Sequence, residues 1–174
     1  LHGITQLIAE KTPSENVGPA ILQLICEGLN WEIGALWRVE KSADVIVCLD
    51  VWTKATVEGG DFERTSLGMS FTPGEGLPGV VWQSGELRWV EDFSKAGFPR
   101  MPLAADEGIH AAVCFPLKAR SDIIGVMEFF SREIRVPDEK IAELMTAVGN
   151  QIAQLIDRGR LARALRLLRA GPSR

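Results

Sequence analysis

Apolar residues along the chain follow two periods in turn, first helical, then alternating, then helical again. Ile4, Leu7 and Ile8 are spaced as one helical face and stop at Thr12-Pro13, because proline disfavours helix in the residue before it. Val17, Ile21, Leu24, Ile25 and Leu29 form a second stripe, which Ser14 can cap and which Gly28 and Asn30 end, predicting a helix over about residues 15–29. From Gly34 the pattern becomes β-like. Residues 35–39 and 45–52 are β-rich runs around the polar turn 40–44, an antiparallel hairpin.

Residues 58–61 read as a loop and residues 62–71 as another extended segment. The turn-rich stretch 72–79 leads into one short helical turn, 80–83, and residues 87–90 return to strand. Residues 93–108 contain Gly97, Pro99 and Pro102 together with the large apolar Phe98, Met101 and Leu103, and read as a long mobile loop of the kind that is often functional. Two strands expected to be central, 110–118 and 123–131, are joined by a hairpin-length connection. Pro137, Asp138 and Glu139 then open a long helix whose buried stripe is Ile141, Leu144, Val148, Ile152 and Leu155. Helices flanking a run of strands without βαβ alternation predict an α+β fold.

Composition narrows the class. With 174 residues, 46% hydrophobic and 24% charged, the chain fits a single globular domain able to fold alone. A net charge of -4 supplies no basic face for nucleic acid, and no apolar run reaches the roughly 18 residues of a membrane span. Cys26, Cys48 and Cys114 are odd in number and lie inside apolar segments, as expected of reduced, buried thiols in a cytoplasmic protein. The start at Leu1 and the absence of a signal-type N-terminus fit a piece of a longer protein.

One motif stands out: residues 74–82, Gly-Glu-Gly-Leu-Pro-Gly-Val-Val-Trp, a G-x-G-x-x-G turn before a short helix. A dinucleotide fingerprint would need a buried parallel strand before it and a βαβ continuation after it, and Asp92 alone does not supply these. Three further segments follow in order: the strand 111–117 ending Phe-Pro-Leu, the strand 123–129 reading Ile-Ile-Gly-Val-Met-Glu-Phe, and Pro137-Asp138-Glu139 opening the last helix. Together the four resemble a GAF domain over residues 4–157. The resemblance implies a central antiparallel sheet of about six strands, terminal helices on one face, and a loop-covered small-molecule pocket on the other. It implies domain limits of 1–157, with 158–174 extending the last helix as a signalling linker.

GAF domains take cyclic nucleotides, linear tetrapyrroles, haem or metabolites, or no ligand. A covalent bilin needs a cysteine, commonly in a Cys-His pair, which is missing here. Haem needs an axial ligand, for which His2 and His110 are the histidines present; His110, opening a strand after the long loop, suits a hydrogen-bonding or rim position better than metal ligation. Of the Asn-Lys, Phe, Asp-Glu pattern in cyclic-nucleotide members, Asp138-Glu139 matches while Ser131-Arg132 and Val136 replace the rest. The same fold carries free-methionine-sulfoxide reductases, whose cysteine before the short helix is replaced by Leu77-Pro78. Redox catalysis is therefore the weaker alternative, and no catalytic or metal-binding residue and no cofactor are assigned.

Ligand-contacting candidates are Trp52, Trp82, Trp89, Phe98, Met101, His110, Cys114 and Glu128. Core packing is the competing explanation for the tryptophans. Glu128 alternates with Val126 and Phe130 on a central strand, so it either recognises a ligand amine or hydroxyl or pairs with an arginine. Beyond Asp157, Leu161, Leu165 and Leu168 prolong the stripe of Leu155 among arginines. That face suits a homodimer that passes a signal to an output domain, such as a kinase, cyclase or transcriptional regulator. The expected function is non-catalytic sensing of a small molecule. A ligand-free dimerisation domain is the alternative, and the filling of the space beneath residues 93–108 distinguishes the two.

Overall fold

Alternation along three long strands sets the architecture. In the structure, a computed structural model describing residues 17–57 and 60–171, helix α1 (Gly18–Leu29) precedes strands β1 (Ile33–Glu40) and β2 (Val45–Thr53). Helix α2 (Asp61–Leu67), strand β3 (Ser70–Phe71), helix α3 (Gly76–Ser84) and strand β4 (Arg88–Val90) follow. After a 3-10 turn at Phe93–Lys95 come helix α4 (Met101–Asp106), strands β5 (Ala111–Ala119) and β6 (Asp122–Ser131), and helix α5 (Glu139–Ala170). The strands form one six-stranded sheet in the order β3-β2-β1-β6-β5-β4, every neighbour antiparallel. The fold is α+β, as expected. The first expected helix, residues 4–11, lies outside the described residues.

Side chains of successive strand residues point to opposite faces, and here both faces are covered. Leu36, Val113, Phe115, Leu117, Met127 and Phe129 pack against Ile21, Leu22 and Ile25 of α1 and Met145, Val148 and Ile152 of α5. Ile33, Ala35, Trp37, Ala112, Cys114, Val126 and Phe130 face the other way, toward Phe62 of α2, Leu77 and Val81 of α3, and Phe93 and Ala104 of the 93–108 segment. The terminal helices thus share one side, and the face carrying Ala112 and Cys114 lies beneath the loops.

Three segments differ from the sequence expectation. The helix expected as one turn over 80–83 already starts at Gly76 and runs to Ser84, so residues 76–79 are helical rather than turn. Residues 61–67 are helical rather than extended, with Phe62 and Ser66 buried one turn apart and acids in the first turn, where the helix dipole favours them; the extended part shrinks to two residues of β3. Residues 93–108 are not a structureless loop: Phe93, Arg100, Ala104 and Ile109 are buried. Pro102 fits because it stands in the first turn of α4, where its missing N–H costs nothing.

Helix α5 spans 32 residues, about 48 Å at 1.5 Å per residue. Asp138 caps it by accepting hydrogen bonds from the backbone N–H of Lys140 and Ile141 at 3.0 and 3.3 Å. Among the described side chains, Ile156 is the last apolar one packed on the helix-side core, while Leu165, Leu167 and Leu168 are exposed. No described helix is long and apolar enough to cross a membrane.

The glycine motif closes a turn onto its own helix: the Gly74 N–H donates to the Gly79 carbonyl at 2.8 Å. A Cβ on Gly79 would stand 2.4 Å from the Thr72 carbonyl oxygen, whereas one on Gly159 in α5 would meet nothing within 4 Å. Replacing Gly79 by Ala is expected to destabilise the domain by more than about 2 kcal/mol through this backbone clash. Gly159→Ala should add about 0.5–1 kcal/mol, because alanine loses less entropy in a helix. Urea unfolding of the two variants checks the sign and size of both.

Candidate functional site

Glu128 sits in the middle of β6 with no exposed surface. Its register neighbours are Ala35 on β1 and Cys114 on β5, both small, which leaves room above the carboxylate on the loop side. That room is filled by Arg100, carried in by the residue preceding α4 and only 2% exposed. Its Nη1 and Nη2 donate to Oε1 and Oε2 of Glu128, each at 2.7 Å, the bidentate fork that a planar guanidinium makes with a carboxylate. The Trp37 Nε1–H adds a third donor to Oε1 at 2.8 Å, and Arg100 Nη1 also donates to the Ser66 hydroxyl at 3.1 Å.

Four rings enclose the guanidinium: its carbon lies 5.2 Å from the ring centroid of Trp37, 5.3 Å from Phe62, 5.5 Å from Phe130 and 5.7 Å from Phe71. All are inside the roughly 6 Å over which a cation is drawn to an aromatic face. The rings support one another, Phe62 edge-on to Phe130 at 4.9 Å and Trp37 tilted against Phe71 at 5.4 Å. A charged pair removed from water is stable only with such near-complete compensation. Every ring comes from an element fixed by the fold: β1, α2, β3 and β6.

The other sequence candidates divide between the faces. Cys114 is buried beside the box, and Trp82 and Phe98 are half-buried against the same cluster, Phe98 stacked on Phe93 at 5.6 Å. Trp82 also borders an open hollow of about 300 Å³ with Lys41 and Asp122. Met101 opens α4, but its side chain lies outside the described ones. Trp52 and Trp89, expected near the pocket, pack on the opposite, helix side. Trp89 meets Trp31 edge-on at 5.6 Å and donates its Nε1–H to the Arg135 carbonyl at 2.9 Å; β4 pairs with β5 in the register that turns this ring toward the helices.

His110 precedes β5, with Nδ1 3.3 Å from Asp92 Oδ1. The Ser94 hydroxyl, aided by the His110 contact and the Ser94 N–H, holds the Asp92 carboxyl below its usual range. Among the described residues, no group of three or more His, Cys, Asp or Glu is placed to hold a metal ion.

The cysteines are free. Burial pushes the Cys48 thiol up to about 12, with the Glu128 charge adding to the rise and Arg100 opposing it. Cys114 is raised for the same reasons, and Cys26, on the helix side, also by burial first.

Sequence reasoning found the carboxylate but not its partners: Arg100, Ser66, Trp37, Phe62, Phe71 and Phe130. A usable signal was present, since Arg100 is one of two cations in a segment otherwise rich in apolar residues, and a buried acid requires a cation from somewhere.

The family model described as the GAF domain matches residues 11–157. No curated protein matches the chain in sequence. Among solved structures, the GAF domain of a phosphoenolpyruvate-protein phosphotransferase from Coxiella burnetii superposes with a TM-score of 0.77 at 18% identity, covering 94% of each chain. The free methionine-R-sulfoxide reductase from Neisseria meningitidis, in complex with its substrate, gives 0.72 at 17% identity, covering 91% of this chain and 87% of that one. A domain assigned to a two-component sensor histidine kinase from Sinorhizobium meliloti gives 0.68 at 20% identity, covering 90% and 99%. These likenesses establish a shared fold, and with the family model spanning most of the chain, this protein belongs to the GAF domain family.

Proposed function

We infer that the chain is a non-catalytic sensory or regulatory module of a signal-transduction protein, such as a histidine kinase, cyclase or transcriptional regulator. It receives a small molecule on the loop side of its sheet and passes the change through α5 to an output domain. The observation that carries this reading is α5 itself. Its first half is packed on the sheet, with Met145, Val148, Ile152 and Ala153 buried, and its second half offers Leu165, Leu167 and Leu168 at 48%, 71% and 79% exposure. A helix apolar beyond its own core needs a partner surface, and a second copy of the same helix supplies one. Leu155 is half-buried at the end of the packed half; the Leu161 side chain lies outside the described ones. On this reading the sensory domain ends near residue 157 and residues 158–174 form the linker; free thiols at Cys26, Cys48 and Cys114 are compatible with a parent protein that works in the cytoplasm.

Likeness to a domain of a sensor kinase supports the signalling role. Likeness to a sulfoxide reductase raises the catalytic alternative. The thiols argue against it, because a nucleophilic cysteine works as a thiolate and burial holds Cys48 and Cys114 as thiols. The ligand-free dimerisation alternative draws on Arg100, whose side chain fills the centre of the loop-side face.

Native mass spectrometry of protein purified from cells tests the sensory reading: a dimer carrying an added small-molecule mass is expected, and an unliganded dimer favours the alternative. Sedimentation velocity should give a dimer at concentrations on the order of 10 µM. Leu165→Glu combined with Leu168→Glu should shift it to monomer with little change in melting temperature, both side chains being exposed; a monomeric parent chain at high concentration contradicts the dimer.

A thiol raised to about 12 is ionised to only about one part in ten thousand at pH 8. Iodoacetamide at pH 8 should therefore leave Cys48 and Cys114 unmodified in the folded protein while alkylating all three cysteines in urea. Rapid alkylation of either in the native state would restore the catalytic alternative.

A further inference from the structure

We propose that the aromatic box around the Glu128 carboxylate is the domain's ligand site, that it takes the guanidinium group of a small free ligand, and that Arg100 is the intramolecular occupant such a ligand displaces. This rests on the sensory reading above and adds the ligand's chemistry and the element that moves.

Charge decides what can replace Arg100. Glu128 is fully buried with Arg100 in place; if that side chain leaves, the carboxylate keeps the Trp37 donor but loses its cation among four aromatic rings, and a charge so placed without a partner is strongly unfavourable. An anionic ligand would add a second negative charge there. A cation restores neutrality. Among cations, a guanidinium reproduces each contact: two parallel N–H donors at 2.7 Å to the two carboxylate oxygens, one at 3.1 Å to Ser66, and four ring faces at 5.2 to 5.7 Å. An ammonium is a point charge that cannot span both carboxylate oxygens in one plane.

The walls belong to the sheet and to α2. The occupant belongs to a short excursion between β4 and β5. Gly97 and Gly108 bracket that excursion in the left-handed region at φ +73 and +74, and a Cβ on either would meet nothing within 4 Å. Exchange of one guanidinium for another leaves the hydrogen-bond count of the box unchanged, so contacts made by the rest of the ligand decide the balance. Expelled Arg100 moves with residues 98–104, including the Phe98 ring stacked on Phe93. Occupancy is thereby converted into a rearrangement of the loop face.

N-ethylguanidinium carries the atoms that Arg100→Ala removes, and is the first probe. Calorimetric titration should show it binding Arg100→Ala at least about tenfold more tightly than the wild type, where the tethered competitor reduces the available fraction. Ethylammonium and acetate should bind neither, and Arg100→Ala with Glu128→Gln should lose the binding. If Arg100→Ala does not fold, Arg100→Lys, which keeps a cation but not the fork, replaces it with the same expected order of affinities.

In the wild type, nitrogen-labelled arginine gives a side-chain Nε resonance for Arg100, identified by its loss in Arg100→Lys. Titration with agmatine, a longer guanidino compound, should move that resonance saturably to the position of solvent-exposed arginines. An Arg100 resonance unmoved at about 50 mM agmatine, or probe binding indifferent to Glu128→Gln, overturns the proposal. A small molecule retained through purification whose binding leaves Arg100 unmoved would overturn this inference and leave the sensory reading standing.

Discussion

A carboxylate without exposed surface, held in the middle of a sheet, constrains everything around it. Glu128 is stable there because Arg100 meets both its oxygens and Trp37 donates to one of them, and that arrangement dictates several distant choices. The strands beside it carry Ala35 and Cys114 rather than large residues. The chain between β4 and β5 must descend far enough to deliver a side chain, so it is organised by Phe93 and Ala104 instead of lying loose over the surface. Helix α2 presents Phe62 and Ser66 on one face, each touching the guanidinium. Burial of this pair is weak support for stability in itself, since apolar residues of equal volume often do as well; its value lies in fixing one arrangement of the loop side.

The sheet separates two kinds of interior. On the helix side, apolar groups from α1 and α5 pack with Val113, Phe115 and Phe129, a contact whose stabilisation scales with the area it buries. On the loop side the same strands present a polar centre ringed by aromatics. A route from the loop side to α5 runs through β5 and β6, whose alternate residues belong to both layers. The apolar layer and the one with a polar centre are thus two faces of the same strands, one residue apart.

The long, strongly patterned parts were legible from residue order: the hairpin 35–52, the pair β5 and β6, and the last helix follow from periods of two and of 3.6. Glu128 was legible as an anomaly, an acid where a strand should be buried. Arg100 was not, because its segment lacks any period and carries two prolines, which read as irregular chain although one of them starts a helix. Trp52 and Trp89 were drawn to the wrong face because proximity in sequence to loops says nothing about which side of a strand a ring leaves from. Residues 61–67 were misread because a two-turn helix with a single large buried side chain, Phe62, offers too few apolar positions to display its period.

The sheet's outer strands are short: β3 has two residues and β4 three. An open strand edge is a row of unpaired backbone groups on which another chain can build, and β3 and β4 themselves offer little of that row. Beyond them the longer neighbours continue, β2 past Val47 and β5 past Cys114, with no further strand on their outer sides among the described residues. If copies associate through the exposed half of α5, as proposed above, that contact can be made and released without remaking backbone hydrogen bonds, which growth along a strand edge cannot.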